Sequence, residues 1–324
     1  MLPATHPRLL ADIGGTNARF AWQVAAGSAL TQVMVTPCAD HPTLEAALRH
    51  YLTRQALTAP VACAIGIATA VTGDRVSMTN HHWSFSIAEL QRAFGFERLA
   101  VVNDFTALAL ALPLLPRDEL HQIGGGEPLA GGPVALIGAG TGLGVSGLLP
   151  VGRGGAAVPI SGEGGHVTLA ATDDVQEAVL RILRKRFGHV SAERVLSGPG
   201  LVNLYEAACT QAGQRPTTDD PAEVLSRSRQ DYCVCSMTAV ALFCSFLGSV
   251  AGNLALTLGA RGGVYIGGGI APQMIRELEA SAFRTQFEAK GRFDDYLSGI
   301  PVYVIETALP PALAGAGRAL DLGL

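Results

Sequence analysis

The chain has 324 residues, 48% of them hydrophobic, and a formal net charge of −4. That length supports a large core and more than one domain, and the acidic balance excludes a basic nucleic-acid footprint. Lysine is confined to Lys185 and Lys290. The start, MLPATHPRLL, has no apolar run behind a basic segment and does not read as a signal peptide. The six cysteines are scattered, as expected for reduced thiols in a cytoplasmic protein.

In chain order, residues 8–14 predict a strand, 17–24 a second after a glycine turn, and 30–37 a third. The apolar spacing of 41–55 predicts a helix entered near Pro42. Residues 61–69 read as a buried strand, 86–95 as a helix, and 98–103 as a strand. A helix over 105–112 is stopped by Pro113 and Pro116, and 124–133 reads as loop. Strands are predicted at 133–138, 144–149, 262–268 and 300–306. Helices dominate 173–260, and 310–322 closes the chain as a helix. Strands alternating with helices define an α/β protein. Met237–Ala260 carries no charge and is long enough to cross a bilayer. It also holds Asn253, Gly248, Gly252 and Gly259 and lacks a basic flank, so it reads as a buried core helix and no membrane is expected.

LLADIGGTNARFAW (9–22) and ALIGAGTGLGVSGLL (135–149) share one plan: apolar strand, glycine-rich turn with a Thr, returning apolar strand. Such turns are either plain hairpins or anion cradles whose backbone N–H groups meet phosphate. No G-x-x-x-x-G-K-[ST] is present, and the second turn is not a dinucleotide fingerprint. With no lysine placed on phosphate, a divalent cation would neutralise it, and Mg²⁺ favours a carboxylate with waters. Asp12, at the tip of an apolar strand, is the carboxylate in position.

VVNDF puts Asn103 and Asp104 at a strand's C-terminal end, where α/β sheets bind ligands. Asp104 is either a helix N-cap or a general base. Glu163 and His166 on SGEGGHV form a binding loop, a metal pair or a solvent loop. Glu193 is either a ligand residue or an exposed helix glutamate. Carboxylates, an amide and an imidazole together suit a polyhydroxylated substrate.

The segments DIGGTNAR (12–19), TGDRVSMTNHHWSFS (72–86), VVNDFTALA (101–109), GAGTGLGV (138–145), GEGGHV (162–167), GHVSAERVLSGPGLVNLY (188–205), GGVYIGGGI (262–270) and KGRF (290–293) resemble the bacterial glucokinases of proteobacterial type, nearly end to end. The resemblance implies a two-domain actin/hexokinase-like (ribonuclease H-like) ATPase fold with a central cleft. A small α/β domain would comprise 1–113 with about 306–324, and a large one 114–305. It implies ATP-dependent phosphorylation of glucose at the 6-hydroxyl, with Asp104 as base. Asn103, Asp104, Glu163, His166 and Glu193 would hold the sugar. ATP and Mg²⁺ would lie on Ala11, Asp12, Ile13, Gly14, Gly15 and Thr16, on Gly140, Thr141 and Gly142, and on Gly267, Gly268 and Gly269. A homodimer and a role in glycolysis are also implied. Ala70 stands where the family commonly has Pro, which would loosen one loop slightly. The cysteine-rich zinc motif of ROK sugar kinases is absent from 167–200, so no structural zinc is expected. The alternatives are a kinase for another hexose such as fructose or mannose, a non-catalytic sugar sensor on the same fold, and an actin-like assembling ATPase. A sensor would want a DNA-binding helix-turn-helix, whereas the first strand begins by about residue 8.

Overall fold

The computed structural model describes residues 5–151, 156–230 and 233–324. The chain divides into two compact units. One is Met1–Pro116 with Pro159–Ser161 and Thr307–Leu324; the other is Arg117–Val158 with Gly162–Glu306.

The first unit opens with β1 (Arg8–Ile13), β2 (Asn17–Gln23) and β3 (Thr31–Pro37). Then come α1 (Leu44–Arg54), β4 (Ala62–Ile67), a short hairpin of β5 (Arg75–Ser77) and β6 (Ser84–Ser86), α2 (Ile87–Phe94), β7 (Arg98–Asn103) and α3 (Asp104–Ala111). The second unit holds β8 (Leu120–Ile123), β9 (Val134–Ala139), β10 (Leu143–Val151) and the start of β11 (Ala156–Ser161). It continues through α4 (Asp174–Phe187), α5 (Gly198–Gln211), α6 (Pro221–Arg229), α7 (Val234–Leu258), β12 (Gly263–Gly267), α8 (Ile275–Ala280), α9 (Phe283–Glu288), α10 (Asp294–Ser298) and β13 (Val302–Ile305). The chain then returns to the first unit as α11 (Pro311–Leu322).

The two main sheets repeat one order. In the first it is β3-β2-β1-β4-β7; in the second, β11-β10-β9-β12-β13 with β8 added at the edge. In both, the first strand pairs antiparallel with the strand after its glycine turn and parallel with the next one. The duplicated strand–turn–strand seen in the sequence is therefore the head of a duplicated sheet. The short β5, β6, β8 and β11 were not expected from the sequence, because three to six residues of mixed polarity carry little period-2 signal.

β1 is buried on both faces, as is β4, which is why both read as continuous apolar runs. α11 lies against α3 at Gly315, where a Cβ would collide with the Ala107 carbonyl oxygen. That close approach seats the helix that begins with Asp104. Gly315→Ala is expected to destabilise the protein by about 1–3 kcal/mol, the usual range for overpacking. A wild-type urea midpoint would contradict this packing.

α7 explains the charge-free stretch. It is apolar enough to cross a membrane, yet 72% of its most apolar window is buried inside the protein. Gly248 and Gly252, one turn apart, face the backbone of α9, and Cβ atoms there would strike the carbonyl oxygens of Phe283 and Phe287. It is a core helix, apolar on nearly every face because most of it is buried, with Val234 and Met237 exposed at its start. All six cysteines are free thiols.

Candidate active site

In the first unit, β1, β4 and β7 run parallel in register, so that Asp12 aligns with Gly66 and Val102, and Ile13 with Ile67 and Asn103. Asp12 and the Asn103–Asp104 pair thus leave the sheet at one edge. Gly66 has no side chain to fill the space between them; its Cβ position is 3.7 Å from the Asp104 Cα.

The structure divides the roles of Asn103 and Asp104. Asn103 is the N-cap of α3: its Oδ1 accepts from the N–H of Phe105 at 2.9 Å and of Thr106 at 3.2 Å. Its Nδ2 donates to the Thr69 carbonyl at 3.3 Å. Asp104 follows as the first helical residue, so the cap that its position alone suggested belongs to its neighbour. The Asp104 Oδ1 accepts from the Phe105 N–H at 2.9 Å. Burial, reinforced by the negative charge of Asp12, pushes the Asp104 carboxyl up to about 6, against the pull of those hydrogen bonds. A carboxylate poised near neutrality is matched to general-base work.

Asp12 is 8% exposed. Burial raises its pKa, and the Arg19 guanidinium, 3.1 Å from Oδ2 on the paired strand β2, lowers it less. The turn after it is closed by the Gly14 N–H donating to the Asn17 carbonyl at 2.9 Å. Among the described residues this leaves the N–H groups of Gly15 and Thr16 without a protein partner.

The second unit repeats the device. The Gly140 N–H closes its turn on the Gly142 carbonyl at 2.8 Å, leaving the N–H groups of Thr141 and Gly142 without a protein partner among the described residues. In each turn the first glycine serves the turn itself, so the N–H groups open to a ligand are one and two residues further on. The Gly198 N–H, in the first turn of α5, donates to the Gly140 carbonyl at 2.8 Å. Gly267 ends β12, beside β9, and Gly268 and Gly269 follow it directly. The Gly138 Cβ position is 2.5 Å from Gly267, and Gly268 adopts φ +79°, which glycine tolerates. Two of the predicted nucleotide segments, 140–142 and 267–269, thus lie at the ends of neighbouring strands.

Glu163, His166 and Glu193 meet in the second unit, the chain folding back over the 30 positions from Glu163 to Glu193. Thr168 bridges Ser191, the Ala192 N–H donates to the Val167 carbonyl at 2.9 Å, and the Leu169 N–H to that of Val190 at 3.0 Å. The His166 ring then stands 3.9 Å from Glu163 and 4.0 Å from Glu193, one nitrogen toward each carboxylate. The Glu163 and His166 side chains are each 60% exposed, so their polar atoms remain open to a ligand. Glu193 is anchored: its Oε2 accepts from the Leu143 N–H at 2.9 Å, and a Cβ on Gly142 would come within 2.5 Å of that oxygen. Glycine at 142 makes room for Glu193, a link between glycine turn and glutamate that sequence reading missed. Gly142→Ala is expected to push the Glu193 carboxylate off the Leu143 N–H and to cost about 1–3 kcal/mol of stability, the range for a hydrogen bond to a charged group. A thermal midpoint equal to wild type would contradict this packing.

The first unit's turn and Asp12 fit phosphate with a divalent ion. Each turn, taken by itself, has open N–H groups that can take phosphate oxygens, and in the first unit buried Asp12 supplies a carboxylate. Among the described residues no three or more His, Cys, Asp or Glu side chains cluster to form a ready cage. Mg²⁺ keeps waters and takes one or two carboxylates plus phosphate oxygens, a demand that one buried Asp can meet.

A duplicated sheet of this order, headed in both halves by a glycine turn, is the architecture of the actin/hexokinase-like sugar kinases. The family model described as Glucokinase matches residues 9–322. A glucokinase of Aromatoleum aromaticum is 53% identical over 99% of this chain and 96% of its own length. One from Chromobacterium violaceum is 50% identical over 98% of this chain and 90% of its own. The crystal structure of a glucokinase from an Antarctic psychrotroph superposes with TM-score 0.88 at 37% identity, over 97% of this chain and 98% of that one. A ROK-family glucokinase from Streptomyces griseus, solved with glucose and AMPPNP, shares the fold at TM-score 0.63 and 16% identity, over 96% of this chain and 98% of its own. The chain belongs to the glucokinase family, kinases that phosphorylate glucose.

Proposed function

We propose that the protein transfers the γ-phosphoryl group of ATP to the 6-hydroxyl of glucose, with Asp104 as general base. The observation that carries this is the Asp104 carboxyl, raised to about 6 at the head of α3 beside the capping amide of Asn103. The Asp104 carboxylate accepts the 6-hydroxyl proton as that oxygen forms its bond to the γ-phosphorus. The bond to the β,γ-bridging oxygen breaks, and ADP leaves.

Asn103, Glu163, His166 and Glu193 orient the other sugar hydroxyls. A carboxylate accepts from a hydroxyl, whereas an amide or imidazole can donate to it. An epimer would leave such groups unpaired, which is how polar pockets discriminate. The open N–H groups of Gly15, Thr16, Thr141 and Gly142 hold phosphate oxygens, and Gly267, Gly268 and Gly269 leave room for the adenosine. Asp12 would hold Mg²⁺ through water; the ion supplies neutralisation of phosphate charge.

Phosphorus NMR of the products tests the reading. Glucose 6-phosphate and ADP are expected as the sole products. Phosphate on another hydroxyl, or no transfer to glucose, would overturn it.

A further inference from the structure

Thr69 lies two residues beyond the end of β4 and is 9% exposed. Two other segments of the first unit meet on it. Its carbonyl accepts from Asn103 Nδ2 at 3.3 Å. Its hydroxyl donates to the Ser77 carbonyl at 3.0 Å and shares a hydrogen bond with the Thr79 hydroxyl at 3.1 Å. Ser77 and Thr79 belong to the β5–β6 hairpin, whose tip is fixed on the far side. There Trp83 Nε1 donates to the His41 carbonyl at 3.0 Å, and Asn80 reaches within 3.2 Å of the Cβ position of Gly15.

The Asn103 side chain is a planar group with four hydrogen-bonding positions. Oδ1 is committed to the two N–H groups at the head of α3, and one Nδ2–H to Thr69. The remaining N–H lies beside the Asp104 carboxylate, which it stabilises, so a ligand hydroxyl would meet the amide and the carboxylate together, in a direction set by the other three bonds. The Thr69 carbonyl stays in place only if the segment after β4 does, and the hydroxyl is what ties that segment to the hairpin.

We infer that Thr69 is a positioning residue for sugar binding, its hydroxyl fixing the carbonyl that sets the orientation of the Asn103 amide. This rests on the reading that Asn103 contacts glucose. Thr69 touches neither the base nor, through its hydroxyl, any group assigned to ATP. Its loss should therefore appear chiefly in ground-state sugar affinity.

Initial-rate kinetics with glucose and Mg-ATP test this on Thr69→Val, which keeps the shape and removes the hydroxyl, beside Thr69→Ser, which restores it. Thr79→Val, at an exposed position, removes one of the two hydroxyl bonds and is the safer variant should Thr69→Val not fold. Asn103→Ala serves as the control. The expected result for Thr69→Val is a KM for glucose raised about tenfold, with kcat and the KM for ATP within about twofold of wild type. Thr69→Ser should behave as wild type, and Thr79→Val should raise the KM for glucose by about threefold, as expected for losing one neutral hydrogen bond. A purely structural hydroxyl would lower thermal stability and leave the KM for glucose unchanged, which would overturn the inference. If Asn103→Ala leaves that KM unchanged, the reading of Asn103 fails, and the inference with it. If Asn103→Ala raises it while Thr69→Val and Thr79→Val do not, only the inference fails.

Discussion

Asp104→Ala is expected to lose about 10²–10⁴-fold in kcat, the usual contribution of general acid–base catalysis, while remaining folded and binding glucose. The helix it begins is capped by Asn103, so its start does not depend on the Asp104 side chain. The raised carboxyl also fixes the sign of the pH dependence. Asp104 works deprotonated, so kcat/KM for the free enzyme should be level above about 6 and fall about tenfold per pH unit below it. The same carboxyl bears on stability in the opposite sense. A folded pKa raised above the unfolded one gives stability present at low pH and lost as pH rises through about 6. Asp104→Asn should therefore have a Tm no lower than wild type at pH 8. A variant inactive only because it unfolds would show the reverse, and wild-type kcat in Asp104→Ala would remove Asp104 from catalysis.

The second large effect is expected at Asp12. Asp12→Asn should reduce kcat/KM by about 10²–10³, the magnitude seen when one preorganised electrostatic group is removed. It should also demand more Mg²⁺ for half-maximal rate. Its negative charge is one of the causes that raise Asp104, second to burial. Removing it should move the acid limb of kcat/KM to lower pH. The partner left behind, Arg19, has a side chain 34% exposed, so water can solvate it and the fold should survive. An acid limb that stays at wild-type pH would show that the two carboxylates do not sense each other.

The sequence carries much of this through residues whose neighbours in space are neighbours in chain. The two glycine turns are legible because each is flanked by apolar strands, and the Asn-Asp pair because it sits where a strand gives way to a helix. The duplication of the whole sheet is harder to see, since only its first two strands keep a shared pattern. The ambiguity at Asp104 could not be resolved from spacing, because either of two adjacent residues can cap a helix and only backbone geometry assigns the cap to Asn103. Glu193 on the Leu143 N–H, Gly198 on the Gly140 carbonyl and Thr69 on Asn103 join positions 34 to 58 residues apart, contacts that no local pattern encodes. The carbonyl groups that lie against Gly315 and Gly248 come from other helices and are likewise not encoded in any local pattern.

The most direct test of the account is ADP release by the purified protein with Mg-ATP and a panel of glucose, fructose and mannose, with Asp104→Ala run in parallel. Rapid release with glucose, weak release with the other hexoses, and its loss in the variant are the predicted result. Nucleotide binding with no hexose-dependent release, or equal release by the variant, would contradict it.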